Sequence, residues 1–157
     1  MKLPRGYVLE EATPDDIDDL LALELRCYPA QSAYTRNEYQ YALVRAKAVN
    51  LVLRPGNGKA PTGFAGGFIH QGWKAGHVYT VNVDPSERGK GFGRLLMDAL
   101  EEGMRKAGMT RSVLEVNVEN TPAIGLYEGM GYTRVKRLKN YYSTYPNPDA
   151  YLYEKPL

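Results

Sequence analysis

The chain has 157 residues, of which 43% are hydrophobic and 24% charged, enough for one domain spanning residues 1–157 with a core of its own. Twenty Lys and Arg against 18 Asp and Glu leave a formal charge of only +2. That balance argues against a nucleic-acid partner and a polybasic membrane surface. The single cysteine, Cys27, excludes an intrachain disulfide and reads as a small buried hydrophobe.

In chain order, residues 7–12 read as a strand. Thr13 then resembles a helix N-cap, with Pro14 at the first helical position and Asp15 and Asp16 where the helix dipole favours acid. Ile17, Leu20, Leu21 and Leu25 keep helical spacing, so a helix runs to Cys27 and stops at Tyr28 and Pro29. A second helix begins near Thr35 and carries Tyr39, Ala42, Leu43 and Ala46. Residues 49–53 form a strand closed by a turn over 54–58. Strands over 63–70 and 78–83 are joined by a hairpin-sized link.

A glycine-rich loop follows and leads into an amphipathic helix whose buried face holds Leu95, Leu96, Ala99, Leu100 and Met104; Gly108 lies just past its end. In a strand over 112–118, Leu114, Val116 and Val118 share one face, and Glu115, Asn117 and Glu119 take the other. Thr121 is expected to cap a short helix over 122–130, closed by Gly131, with strands near 132–137 and 150–154. This order implies an α+β fold, a sandwich with helices on both sides of a central sheet. No apolar run reaches transmembrane length, and the first residues lack the apolar stretch of a signal peptide. The expectation is a cytoplasmic, reduced protein.

The segment from Val81 through Asn82 and Val83 to Arg94 is the most informative. Glycines at 89, 91 and 93 leave backbone N–H groups bare, the following helix offers its positive end, and Arg88, Lys90 and Arg94 add charge. Together they make an anion cradle suited to a pyrophosphate. The P-loop pattern is absent, and the alternate glycines do not fit the dinucleotide fingerprint. The pattern [RQ]xxGx[GA] does fit, over Arg88, Gly89, Lys90, Gly91, Phe92 and Gly93. A ligand-free glycine turn is the alternative, disfavoured by the strand before it and the long helix after it.

This loop resembles motif A of the GNAT superfamily of N-acetyltransferases. The likeness extends through Leu114-Glu115-Val116, Asn120 and Leu126-Tyr127 to Gly131-Tyr132, similar to the family's LEVxxxNxxAIxLYxxxGF segment. It is nearest the ribosomal-protein alanine N-acetyltransferases, whose ending also resembles Asn140-Tyr141-Tyr142 and the last nine residues. The chain departs from that subgroup at Ala33-Tyr34-Thr35, where Pro-Trp-Ser is usual, and in an insertion over residues 143–148.

The resemblance implies a mixed, mostly antiparallel sheet that splays to admit acetyl-CoA as co-substrate. Glu115 is implied as the base and Tyr127 as the acid. The pantetheine is expected along the backbone of Val81, Asn82 and Val83 and near Asn120. The diphosphate is expected on N–H groups between Arg88 and Arg94. The implied acceptor is the N-terminal α-amine of a protein or peptide, such as a ribosomal protein, attacked directly without an acetyl-enzyme. A small-molecule amine acetyltransferase acting on a polyamine or aminoglycoside, or a silent acyl-CoA-binding module, are the other readings. The oligomeric expectation is a monomer or homodimer. His70 and His77 read as isolated structural residues, and no His/Cys/Asp cluster suggests a metal.

Overall fold

The computed structural model describes residues 2–58 and 60–157. Its strands are β1 Tyr7–Glu11, β2 Ala48–Pro55, β3 Gly63–His70, β4 Ala75–Val83, β5 Arg111–Asn117, β6 Thr133–Leu138 and β7 Ala150–Pro156; its helices are α1 Ile17–Cys27, α2 Arg36–Val44, α3 Phe92–Lys106 and α4 Thr121–Gly129. The strands form one sheet in the order β1-β2-β3-β4-β5-β7-β6. Every neighbouring pair is antiparallel except β4 and β5. Alternation along β2 sends consecutive residues to opposite faces. Leu53 joins the core under α3 with Ala65, Leu96, Met97, Leu100 and Met104. Val52 joins a second core under α1 and α2 with Leu20, Leu23, Tyr39 and Phe64.

Local chemistry sets the helix ends. Asp16 accepts the Thr13 N–H at 2.8 Å across a short 3-10 turn that leads into α1. Thr35 accepts the Glu38 N–H at the start of α2. Helix α2 ends at Val44, so Ala46 lies beyond it. Asn120, not Thr121, caps α4: its Oδ1 accepts the Ala123 N–H at 3.3 Å, and Thr121 is the first helical residue. Gly108, at φ +86°, follows α3 in the left-handed conformation that ends helices.

Strand β4 is longer than the sequence pattern suggests, because Ala75 to His77 also pair with β3. It is also irregular. Gly67 faces Val78 and Gly66 faces Thr80, so Tyr79 is an extra residue on β4. Such a bulge breaks the two-residue alternation. Val78 packs toward α3, and so does Val81 three residues later, instead of two or four. The ring of Tyr79 lies over Gly66, where any Cβ would stand inside it.

The parallel pairing of β4 with β5 covers only Ala75–Val78 against Arg111–Leu114. Beyond it the two strands part, while β5 stays paired with β7 through Asn117. The sheet is split between the end of β4 and the end of β5. No helix of the described residues is long and apolar enough to cross a membrane.

Candidate active site

The glycine loop begins where β4 ends. Asp84 accepts the N–H and hydroxyl of Ser86 at 3.0 and 2.8 Å and takes an ion pair from Arg26 at 2.8 Å, which fixes the turn over Pro85–Glu87. Gly89 and Gly91 have φ of +82° and +83°, values that side-chain-bearing residues rarely adopt. Gly91 is the residue before α3 and brings no side-chain cap, so the first N–H groups of a 15-residue helix are left to other partners. Residues 88–91 are all exposed. An exposed, uncapped helix end behind bare glycines fits a diphosphate.

The neighbouring side chains are more varied than the sequence pattern implied. Arg88 turns back to donate to the Val83 carbonyl at 3.3 Å, and Lys90 pairs with Glu87 at 2.7 Å, while Arg94 is exposed. Phe92 is a core residue, its ring 5.0 Å from that of Tyr7. Gly93 brings α3 against Leu126 of α4; an added Cβ would stand 3.2 Å from that side chain. Val81 and Val83 pack toward α3. Asn82 points the other way: it is 1% exposed and donates to Glu24 at 2.6 Å. Only its backbone lies along the strand edge. Cys27 Sγ donates to the Val83 carbonyl at 3.4 Å, and burial is the main influence pushing this thiol up.

Glu115 is the first β5 residue past the end of the pairing with β4. His77 Nε2 stands 2.6 Å from Glu115 Oε2 and 3.1 Å from Oε1. A carboxylate only accepts, so with Glu115 ionised Nε2 carries the proton. Tyr141 reaches the same carboxylate from the loop between β6 and β7. Burial first, and then the Glu115 charge and the hydrogen bond to it, push its phenol up to about 12. The side chain of Glu115 is 16% exposed, accessible yet held on two sides. The structure therefore corrects the reading of His77 as an isolated residue.

Tyr127 lies in the other core, under α3 and α4, its ring 5.9 Å from that of Tyr132. Burial pushes its phenol up to about 12. Glu115 faces away from that core, because its neighbours Leu114 and Val116 belong to it. The two groups thus lie on opposite faces of the sheet near its split, with Asn120 capping the helix that carries Tyr127.

Tyr34, inside the Ala33-Tyr34-Thr35 stretch, was not singled out for chemistry by the sequence, yet it closes the site from the α1–α2 loop. Its hydroxyl donates to the carbonyl of the bulge residue Tyr79 at 2.8 Å, and its backbone N–H donates to Glu24 at 3.2 Å. No local signal marks His77; Tyr141 lies in the stretch that resembles the subgroup's ending and Tyr34 in the stretch that departs from it, and their contacts come from loop packing. Among the described residues no group of three or more His, Cys, Asp or Glu is placed to hold a metal.

A family model described as Acetyltransferase (GNAT) family matches residues 17–132. The chain belongs to the GNAT acetyltransferase family. The N-alpha-acetyltransferase of Saccharolobus solfataricus is 31% identical over 160 aligned residues, covering 98% of this chain and 95% of that protein. The ribosomal-protein-S18-alanine N-acetyltransferase of Escherichia coli has the same fold, with a TM-score of 0.84 at 22% identity over 96% of this chain and 93% of that one. Arabidopsis thaliana Naa50, solved with the bisubstrate analogue CoA-Ac-MVNAL, gives a TM-score of 0.83 at 19% identity over 97% and 99%. The seven-stranded, mostly antiparallel sheet with four helices is the GNAT fold. CoA-containing complexes among GNAT neighbours agree with acetyl-CoA as the co-substrate of this GNAT enzyme.

Proposed function

We propose that residues 1–157 form one catalytic domain that transfers the acetyl group of acetyl-CoA to the N-terminal α-amine of a protein, a ribosomal protein among the candidates, in the cytoplasm. The observation that carries this reading is the carboxylate of Glu115, held by His77 at the point where β4 and β5 part. The full-length likeness to an N-alpha-acetyltransferase supports the acceptor class.

In this reading the co-substrate lies in the split. Its diphosphate meets the N–H groups between Arg88 and Arg94, and its pantetheine runs beside the backbone of Val81, Asn82 and Val83. Asn120 contributes through the amide N–H groups that its cap leaves unused. Glu115 takes the proton from the amine, directly or through one water. An α-amine has an ordinary pKa near 8, so about a tenth is neutral at pH 7 and the base takes the proton from the rest. His77 holds the carboxylate in position. Tyr127, with its phenol pushed up to about 12, stays protonated at neutral pH and donates to the sulfur as negative charge develops there. The amine attacks the thioester directly: the one cysteine has a thiol raised by burial, the reverse of an activated nucleophile.

The deciding experiment incubates the protein with acetyl-CoA and a mixed set of peptides and small amines and reads products by mass spectrometry. Acetylated peptide N-termini are expected. Products only from polyamines or aminoglycosides would replace the acceptor class. CoA binding without any product would point to a silent acyl-CoA module. Binding is read separately by melting, since CoA at about 100 times its dissociation constant should stabilise by roughly 2.7 kcal/mol.

A further inference from the structure

The formal charge of +2 conceals an uneven distribution. At the end of the sheet away from the glycine loop, three links come together: residues 45–47 between α2 and β2, residues 71–74 between β3 and β4, and residues 107–110 between α3 and β5. Backbone hydrogen bonds tie them side by side. The Lys47 carbonyl accepts the Ile69 N–H at 2.9 Å, and the Lys74 carbonyl accepts the Thr110 N–H at 2.8 Å. Lys47 and Lys74 are exposed there, as are Arg105 and Lys106 in the last turn of α3. The acids beside them, Glu102 and Glu154, are engaged by Arg105 and Arg111 at 3.5 and 3.3 Å. Among the described residues no acid pairs with Lys47, Lys74 or Lys106. Arg45 pairs with none either; its guanidinium lies 4.7 Å from the Phe68 ring centroid.

Trp73, the one tryptophan of the chain, stands in the hairpin amid these cations and is 70% exposed. His70 steadies it, with ring centroids 5.4 Å apart. Lys74, in the left-handed conformation at φ 52°, turns the chain back into β4 directly after it. A free aromatic face among unpaired cations is the combination that holds single-stranded nucleic acid, where the cations meet phosphates and an unstacked base lies on the ring. A membrane surface would call for several apolar residues projecting together, and Gln71, Gly72 and Lys74 around Trp73 supply none. Ala75 begins β4 and Val83 ends it eight residues on, so the rim lies about 26 Å along the strand from the glycine loop, and a strand bound there leaves that loop open.

We propose that this rim binds single-stranded nucleic acid, with Trp73 stacking on a base and Arg45, Lys47, Lys74 and Lys106 meeting the phosphates. With one tryptophan in the chain, intrinsic fluorescence reports this site alone. Oligouridine and oligodeoxythymidine of about ten nucleotides are titrated in parallel into the full chain. At roughly 50 mM salt, quenching with a dissociation constant below about 100 µM is expected from at least one, and the tighter of the two tells RNA from DNA. Lys47→Glu combined with Lys106→Glu should weaken binding about tenfold or more and flatten the plot of log affinity against log salt by about 1.4, roughly 0.7 per lost cation. Trp73→Ala, read by anisotropy of a labelled strand, should weaken it about fivefold or more. All three positions are exposed, and a retained cooperative melt certifies the fold of each variant. Absence of quenching by both strands, equal affinity for a duplex of the same length or for polyglutamate, or variants that bind as wild type does would each overturn the proposal. Quenching by phosphatidylserine vesicles but by neither strand would overturn it too and give the rim to a membrane.

Discussion

The proposed base and acid differ in how firmly they are held. Glu115 has two neighbours, His77 and Tyr141, and keeps a solvent path, as a base that receives an amine proton requires. Glu115→Gln should lower kcat by on the order of 10²-fold, with the largest loss at lower pH, where more of the amine arrives protonated. In the proposed mechanism His77 acts through Glu115, which it contacts at 2.6 Å. His77→Ala should lower kcat while leaving the KM for acetyl-CoA unchanged, and His77→Gln, which retains an N–H donor, should recover part of the loss. Steady-state kinetics across pH 6–9 checks both, and equal losses in the Ala and Gln variants would reduce His77 to a packing role. Tyr127 is different: it is buried and its phenol is raised, so in the proposed mechanism its contribution comes as charge builds on sulfur. Tyr127→Phe should lower kcat with little change in acetyl-CoA affinity, read by comparing turnover with CoA titration. Glu115 and Tyr127 stand out in the sequence as candidates only through the resemblance of their LEV and LY segments to the family's. His77 does not, because its partner is 38 residues away and only the parallel register of β4 with β5 joins them.

At the scale of elements, the bulge in β4 organises the face of the sheet under α1 and α2. The extra residue sends Tyr79 and Thr80 toward the same face and returns Val81 and Val83 to α3. It thereby turns Asn82 into the α1–α2 layer, where it donates to Glu24. The Tyr79 ring crosses Gly66, and its hydroxyl donates to Asn50 on β2. Gly66→Ala would force that ring aside and release the Asn50 bond. Overpacking of this kind costs about 1–3 kcal/mol, measurable as a lower midpoint in urea. Most element boundaries followed from sequence: β3 spans the expected residues, and α1 ends at Cys27 as expected. The start of β4 did not, because Gly76 and His77 carry little strand signal and are recruited by β3 across the hairpin. The α4 cap shifted by one residue because Asn120 and Thr121 both carry capping groups, and only the backbone geometry chooses between them.

Across the whole molecule, Glu24 ties the α1–α2 layer to the sheet. It is 1% exposed and accepts from Tyr39 at 2.6 Å, Asn82 at 2.6 Å and the Tyr34 N–H at 3.2 Å, so one carboxylate joins α1, the α1–α2 loop, α2 and β4. Burial outweighs these hydrogen bonds and raises its carboxyl above the ordinary range. A raised value means that the folded state holds the proton more tightly than the unfolded chain. The associated stability is full below the ordinary carboxylate range, near pH 4.3, and is lost as pH rises through the folded value. Glu24→Gln removes that titration, so the stability of wild type should fall relative to the variant as pH rises from about 4 toward 7. Urea unfolding at several pH values measures the difference, and parallel profiles would refute the assignment.

By itself the sequence determined the order of elements, the α+β class and the glycine loop, and its resemblance to the family nominated a base and an acid. These rest on local properties: apolar period, caps, glycines that accept positive φ, and a motif of fixed spacing. Only the tertiary structure decided which groups meet. The split between β4 and β5 arises because parallel pairing stops at Val78 and Leu114. The His77–Glu115 pair, the Tyr34 contact with the bulge and the cation cluster around Trp73 all depend on register across strands and on where a loop lands. Register is set by how whole faces pack, so no single stretch of the chain records it.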